Sequence, residues 1–179
     1  KNWRSYFKGP TTVREGIWDS MNILAVKAVE MVGIETAYNY LLNFGFTTLS
    51  DQDKVYALPL GGITDGVTPH ELNAAYAAIA NQGSYIKPIL YTQVLDLDKQ
   101  VLLDNSVPET HTVIKASTAS MLTDMMEDVI KIGTGGKAGV GLNMPVAGKT
   151  GTTSDNKDFI FAGYTPYYTA TVWMGYDRP

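Results

Sequence analysis

The sequence has no cysteine, which excludes disulfides and thiolate metal sites. Its two histidines, His70 and His111, do not form a His-Glu-x-x-His pattern, so no metal centre is expected. Nor does any residue pattern imply a cofactor. Basic residues are outnumbered, 14 Lys and Arg against 18 Asp and Glu. The net charge of −4 leaves no electrostatic basis for a nucleic-acid partner. No apolar run reaches transmembrane length, and neither a signal peptide, a repeat nor a low-complexity tract is found. What is present is an ordinary globular balance: 179 residues, 45% hydrophobic and 18% charged, enough for one domain with a core. The chain opens on "KNWRSYFKGP" without an initiator Met and stops at "GYDRP" after a strand-like run, so it reads as a piece of a longer polypeptide.

Helices come first. Thr12-Val-Arg-Glu15 has the pattern of a capping box, with Thr12 as N-cap and Glu15 reaching back. Apolar residues follow at Val13, Ile17 and Trp18, and restart at Ile23, Leu24, Val26, Val29 and Val32. The polar break Asp19-Ser-Met-Asn22 separates the two runs, so two helices are expected. A third is predicted over Glu35–Phe44, stopped by Gly45. Thr68-Pro-His-Glu71 starts a fourth, whose alanines suit a buried helix running to Gly83. Residues 12–83 are thus expected to be mainly helical. A hairpin is predicted within 85–104, turning near Asp98-Lys99. An amphipathic helix is predicted over 116–132, with Met121, Leu122, Met125, Met126, Val129 and Ile130 on a core-facing stripe. The runs "MPVAGKTGTT", "DFIFAGYTP" and "YYTATVWMGYD" within 144–177 read as an antiparallel meander. Helices first and strands last make an α+β arrangement.

The densest stretch is Val146-Ala-Gly-Lys-Thr-Gly-Thr-Thr-Ser-Asp-Asn-Lys157. A phosphate-binding loop does not fit it. That motif needs a glycine where Asn143 stands, Pro145 removes a donor, and no helix follows. Lys149-Thr-Gly-Thr152 on a strand makes better sense. Lys149 and Gly151 would share one face, and Thr150 and Thr152 the other. Gly151 would let a peptide-like ligand lie against the backbone, and the Thr152 N–H could point at a developing oxyanion. The hydroxyls and the ammonium could hold a carboxylate. The bland alternative is a short edge strand with ordinary polar residues. Ser154 to Asp158 read as the turn into the next strand, so neither the Ser-x-Asn nor the Ser-x-x-Lys spacing found there carries chemistry. Another Ser-x-Asn, Ser20-Met-Asn22, lies in the polar break. It could present a hydroxyl and an amide to a cleft, or simply cap the helix from Ile23.

Together these residues resemble the transpeptidase domain of penicillin-binding proteins, most closely the bifunctional class A type. The resemblance is carried by "GPTTVREGIWDSMNILAVKAVEMVG", "GVTPHELNAAYAAIANQGSYIKP", "SMLTDMMEDVIKIGTGGKA" and "PVAGKTGTTSDNKDFIFAGYTPYYTATVWMGYD", which cover essentially the whole chain in the family's order. It implies the fold shared by serine β-lactamases and penicillin-binding transpeptidases. The implied activity is peptidoglycan D,D-transpeptidation through an acyl-serine. The implied partners are stem peptides ending in D-Ala-D-Ala and the β-lactams that mimic them. By this likeness Ser20 passes a proton to the leaving group, and Asn22 binds the substrate amide and helps position the lysine partner. Lys149 supplies positive potential, Thr150 and Thr152 hold the carboxylate, and the Thr152 N–H is one oxyanion donor.

One part of the pattern is missing. The family's nucleophilic Ser-x-x-Lys should precede Ser20 on a buried helix. Ser5-Tyr-Phe-Lys8 is too close to the Thr12 cap to be that helix. The nucleophile is therefore expected on an upstream segment of the same protein, and this chain alone is expected to be inactive. The family's first two strands, its closing helix and the class A glycosyltransferase domain are also not found, so an unpaired sheet edge is expected. The likeness places the domain on the outer face of a bacterial membrane, anchored through an N-terminal segment. Two other readings stay open: a serine β-lactamase or β-lactam sensor, and a non-catalytic domain that binds peptide or protein.

Overall fold

The structure is a computed structural model that describes residues 8–139 and 141–176, and of Asp155 the backbone alone. Ser5 of the discarded Ser5–Lys8 spacing lies outside the described residues.

Three helices open the chain: α1 (Val13–Trp18), α2 (Asn22–Val32) and α3 (Ile34–Asn43). Thr12 caps α1, its hydroxyl accepting the Glu15 N–H at 3.2 Å. The other half of the expected box does not form, because the Glu15 carboxylate is taken by the Lys8 ammonium. At α4 (Pro69–Ala80) both halves form: Thr68 accepts from the Glu71 N–H at 3.1 Å, and Glu71 accepts from the Thr68 N–H at 3.2 Å. Glu71 also accepts from Thr47, which ties the preceding loop to the start of α4. Asp53 closes that loop. It is buried and accepts from Ser50 and Thr64 through backbone and hydroxyl. These bonds, led by the Thr64 hydroxyl, hold its carboxyl down at about 2.

The single hairpin expected within 85–104 is two nested antiparallel pairs. The inner pair, β2 (Gln93–Leu95) with β3 (Val101–Asp104), turns through Lys99 at φ 63°. The outer pair joins β1 (Ser84–Ile86) to β4 (Thr110–Thr112). Pro88, with no N–H to donate, lies between β1 and the inner strand. Tyr85 lies against His111, ring centroids 5.1 Å apart, and packs with Ala74 and Ala78 of α4.

Helix α5 (Ala116–Lys131) is followed by the meander β5 (Ala147–Thr152), β6 (Asp158–Tyr164) and β7 (Thr169–Gly175). One face of this sheet carries Ala147, Lys149 and Gly151, opposite Tyr164, Ala162 and Ile160. Helices α4 and α5 cover it, with Met126, Ala147 and Tyr164 at the centre and Tyr76, Ile79, Leu122 and Ile17 around them. The methionine stripe is narrower than expected. Ala119, Met126 and Val129 face the core, whereas Met121 is 60% exposed because it lies well round the helix from Met126. Among the described residues no helix is long and apolar enough to cross a membrane.

Candidate active site

The polar break between α1 and α2 is a helix stop of unusual composition. Ser20 has φ 53°, the left-handed conformation that commonly ends a helix and favours glycine. The Met21 N–H donates back to the Gly16 carbonyl at 2.8 Å, locking the turn, and Met21 is buried beneath it. Neither Ser20 nor Asn22 caps α2: its N-cap is Met21, with no side-chain cap bond. The turn instead presents the Ser20 hydroxyl outward, and Asn22 is exposed at the first residue of α2.

Across from it lies β5. The Lys149 ammonium donates to Ser20 Oγ at 2.7 Å and to the Thr150 carbonyl at 2.9 Å. The first bond joins residues 129 apart in sequence. Burial pushes the Lys149 amine down to about 8, so it is still mostly charged at neutral pH but within reach of losing its proton. Asn22 is not among its acceptors.

The strand's bonding pattern sets the direction of the backbone groups. Thr153 N–H donates to the Asp158 carbonyl at 3.1 Å. Antiparallel bonding alternates, so Gly151 and Lys149 direct their N–H and C=O groups to β6, while Thr150 and Thr152 direct theirs to the opposite edge. Among the described residues no strand pairs with that edge. The Thr152 N–H therefore faces the same open edge as the Thr150 carbonyl that meets Lys149.

Gly151 and Gly148 differ in kind. A Cβ at Gly148 would come within 2.7 Å of Phe161 Cζ and 2.8 Å of the Ala162 carbonyl, so internal packing requires glycine there. A Cβ at Gly151 would meet only Ile160 Cβ at 3.8 Å, ordinary contact. The sheet has no need of a glycine at 151. An approaching backbone would.

Beyond Gly151 the chain turns through a single 3-10 turn, Ser154–Asn156, with Asn156 at φ 57°, and Asp158 already belongs to β6. Ser154 and Asn156 are turn residues. A further Ser-x-x-Lys spacing escaped sequence inspection, Ser84-Tyr-Ile-Lys87. It lies on and just beyond β1, where positions three apart point to opposite faces, and Lys87 pairs with Glu109 at 2.9 Å.

One residue of the site was also missed. Thr134 Oγ1 lies 2.7 Å from Thr150 Oγ1, and its N–H donates to the Trp18 carbonyl at 3.2 Å. It thereby links the end of α5, the Ser20 turn and β5. The available sequence signal was the run Gly133-Thr-Gly-Gly136, too many small residues for a plain connection. A Cβ at Gly133 would stand 2.5 Å from the Trp18 carbonyl.

The model of the family described as penicillin binding protein transpeptidase domain matches residues 1–177. The chain is 36% identical over 185 residues to penicillin-binding protein 1A of Clostridium perfringens strain 13, spanning 100% of this chain and 27% of that protein. It is 40% identical over 176 residues to penicillin-binding protein 1A of Clostridium acetobutylicum, spanning 97% and 21%. The chain thus has about a quarter of the length of these curated relatives. Penicillin-binding protein 1A from Haemophilus influenzae superimposes with a TM-score of 0.85 at 24% identity, over 99% of this chain and 32% of that one. Penicillin-binding protein A from Mycobacterium tuberculosis, solved as an imipenem acyl-enzyme complex, gives 0.75 at 22%, over 99% and 46%. At such identities the solved structures establish the fold, that of penicillin-binding transpeptidase domains. With a family match over nearly every residue, the chain belongs to the penicillin-binding protein transpeptidase domain family.

Proposed function

We propose that this chain forms two walls of a peptidoglycan D,D-transpeptidase site whose attacking serine is carried on a Ser-x-x-Lys segment outside this sequence. The observation that carries the reading is the 2.7 Å contact between Lys149 Nζ and Ser20 Oγ, with Ser20 held in a conformation that glycine would occupy more easily. A half-buried lysine touching a strained, exposed serine is an arrangement suited to moving a proton.

The roles are those that the family likeness implies. The outside serine passes its proton to the lysine of its own Ser-x-x-Lys segment and attacks the carbonyl of the penultimate D-Ala of a stem peptide ending in D-Ala-D-Ala. The Thr152 N–H, facing the open edge, stabilises the oxyanion. The C–N bond to the terminal D-Ala breaks, and that amine leaves with a proton delivered through Ser20. The amine of a second stem then attacks the acyl-serine and gives up a proton, which returns to the serine oxygen as the cross-link forms and the serine is freed. Lys149 and the hydroxyls of Thr150 and Thr152 hold the terminal carboxylate, Gly151 admits the peptide backbone, and Asn22 meets the substrate amide. β-Lactams acylate the same serine. A class A parent protein places the site on the outer face of a bacterial membrane.

Fluorescent penicillin tests this. The isolated chain should take no covalent label, and a longer polypeptide carrying the Ser-x-x-Lys segment should take one. In the longer protein, Ser20→Ala should slow labelling by about 10²–10⁴-fold. Label on any serine of this chain would sink the assignment, and rapid release of the label would point to a β-lactamase instead.

A further inference from the structure

We propose that Thr134 is a positioning residue for the substrate carboxylate, acting through Thr150; the inference rests on the site reading above. Its hydroxyl lies 2.7 Å from that of Thr150. A hydroxyl has one proton to donate and two acceptor lone pairs. When Thr134 donates to Thr150 Oγ1, the proton of Thr150 has to point elsewhere, and it is left free to donate to an incoming carboxylate. Without Thr134 the Thr150 hydroxyl turns freely, and the bond to the carboxylate must first meet the cost of ordering it.

Thr134 is held where this role needs it. Its own N–H donates to the Trp18 carbonyl at 3.2 Å, and the next N–H, from Gly135, donates to the Val129 carbonyl at 2.9 Å. Gly133 sits against Trp18 so closely that no side chain fits. Both flanks are therefore fixed, one to the turn that presents Ser20 and one to the last turns of α5. Thr134 itself is exposed, so its hydroxyl is not committed to core packing. The same contact couples the two walls. Ser20 follows Trp18 by two residues, and Thr150 follows Lys149 directly, so one hydroxyl registers the serine turn against the strand.

The test compares two ligands by titration calorimetry on the longer polypeptide that carries the Ser-x-x-Lys segment, its attacking serine changed to alanine so that neither ligand is turned over and taken below as the wild-type chain: a short acylated peptide ending in D-Ala-D-Ala, and the same peptide as its C-terminal amide. The wild-type chain should favour the free acid. Thr134→Val keeps the shape and the backbone bonds but removes the hydroxyl. It should lower the acid-over-amide preference about tenfold, near 1.4 kcal/mol, with amide affinity unchanged. Thr134→Ser should retain the preference. A purely structural role for Thr134 would weaken both ligands alike, and that result overturns the inference. So does a Thr134→Val chain that discriminates as well as wild type while Thr150→Val does not. If Thr150→Val itself keeps the preference, or the wild-type chain binds neither peptide, the site reading fails and the inference with it.

Discussion

At the scale of single residues, Ser20 sets a cost against a use. Left-handed backbone costs a side-chain-bearing residue roughly 1 kcal/mol relative to glycine. Replacing Ser20 by Gly should therefore leave thermal stability unchanged or raise it by up to about 1 kcal/mol, while the Lys149 contact disappears. Loss of stability on that substitution would mean the hydroxyl serves the fold and not the chemistry. Lys149 makes the complementary case. Its amine titrates near 8 in the folded chain against 10.5 unfolded. The unfolded chain then binds more protons between those values, so stability rises as pH increases from 8 to 10.5. Below pH 8 the folded chain carries the full penalty of a partly buried ammonium, an upper bound of about 3 kcal/mol. Lys149→Met should abolish that rise, which urea unfolding of both proteins across the window would reveal. A bound carboxylate supplies the missing counter-charge, so ligand should move the amine back up.

At the scale of elements, what could be read from sequence was local and what could not was distant. Thr68-Pro-His-Glu71 states its whole capping pattern within four residues, and both bonds form. The Thr12 box has the same pattern but loses Glu15 to Lys8, a competitor outside the motif. The pairing of β1 with β4 joins residues 24 to 28 apart through an intervening hairpin, and no alternation within either short strand announces it. Candidate site residues were legible by type, since Lys-Thr-Gly-Thr and Ser-x-Asn are short local patterns. The contact that unites Ser20 with Lys149, and the part of Thr134 in it, depend on how α1 and α5 dock. Gly133 tests that docking. Gly133→Ala would put a methyl group 2.5 Å from the Trp18 carbonyl and 2.9 Å from Val129 Cα, both backbone atoms that cannot swing aside. A loss of about 1–3 kcal/mol is expected by urea unfolding. Gly151→Ala should cost under about 0.5 kcal/mol, because nothing but Ile160 lies near, yet it should weaken peptide binding. Equal damage at both positions would refute the distinction between a packing glycine and a ligand-facing one.

At the scale of the whole molecule, helices cover the sheet on one side only among the described residues. Helices α4 and α5 bury the face that carries Ala147, Ala162 and Tyr164. On the other face Phe159 pairs with Met174 and Phe161 with Val172, and Phe159, Val172 and Met174 are 41%, 61% and 64% exposed. Tyr176, just past the end of β7, is 77% exposed. Among the described residues no strand pairs with the outer edge of β7 either. An apolar sheet face beside unpaired backbone groups is a surface that other chains can join. The isolated chain is therefore expected to self-associate with rising concentration and to bind a hydrophobic dye. Val172→Lys with Met174→Lys places two like charges on that face and leaves the helix-covered side untouched. The double variant should sediment as a smaller species than wild type and lose most of the dye signal, with the Lys149–Ser20 contact retained. If it associates as wild type does, the interface lies elsewhere. If it unfolds, the exposed face is part of what holds the chain together, and the substitutions should then be confined to Val172 alone to separate packing from association.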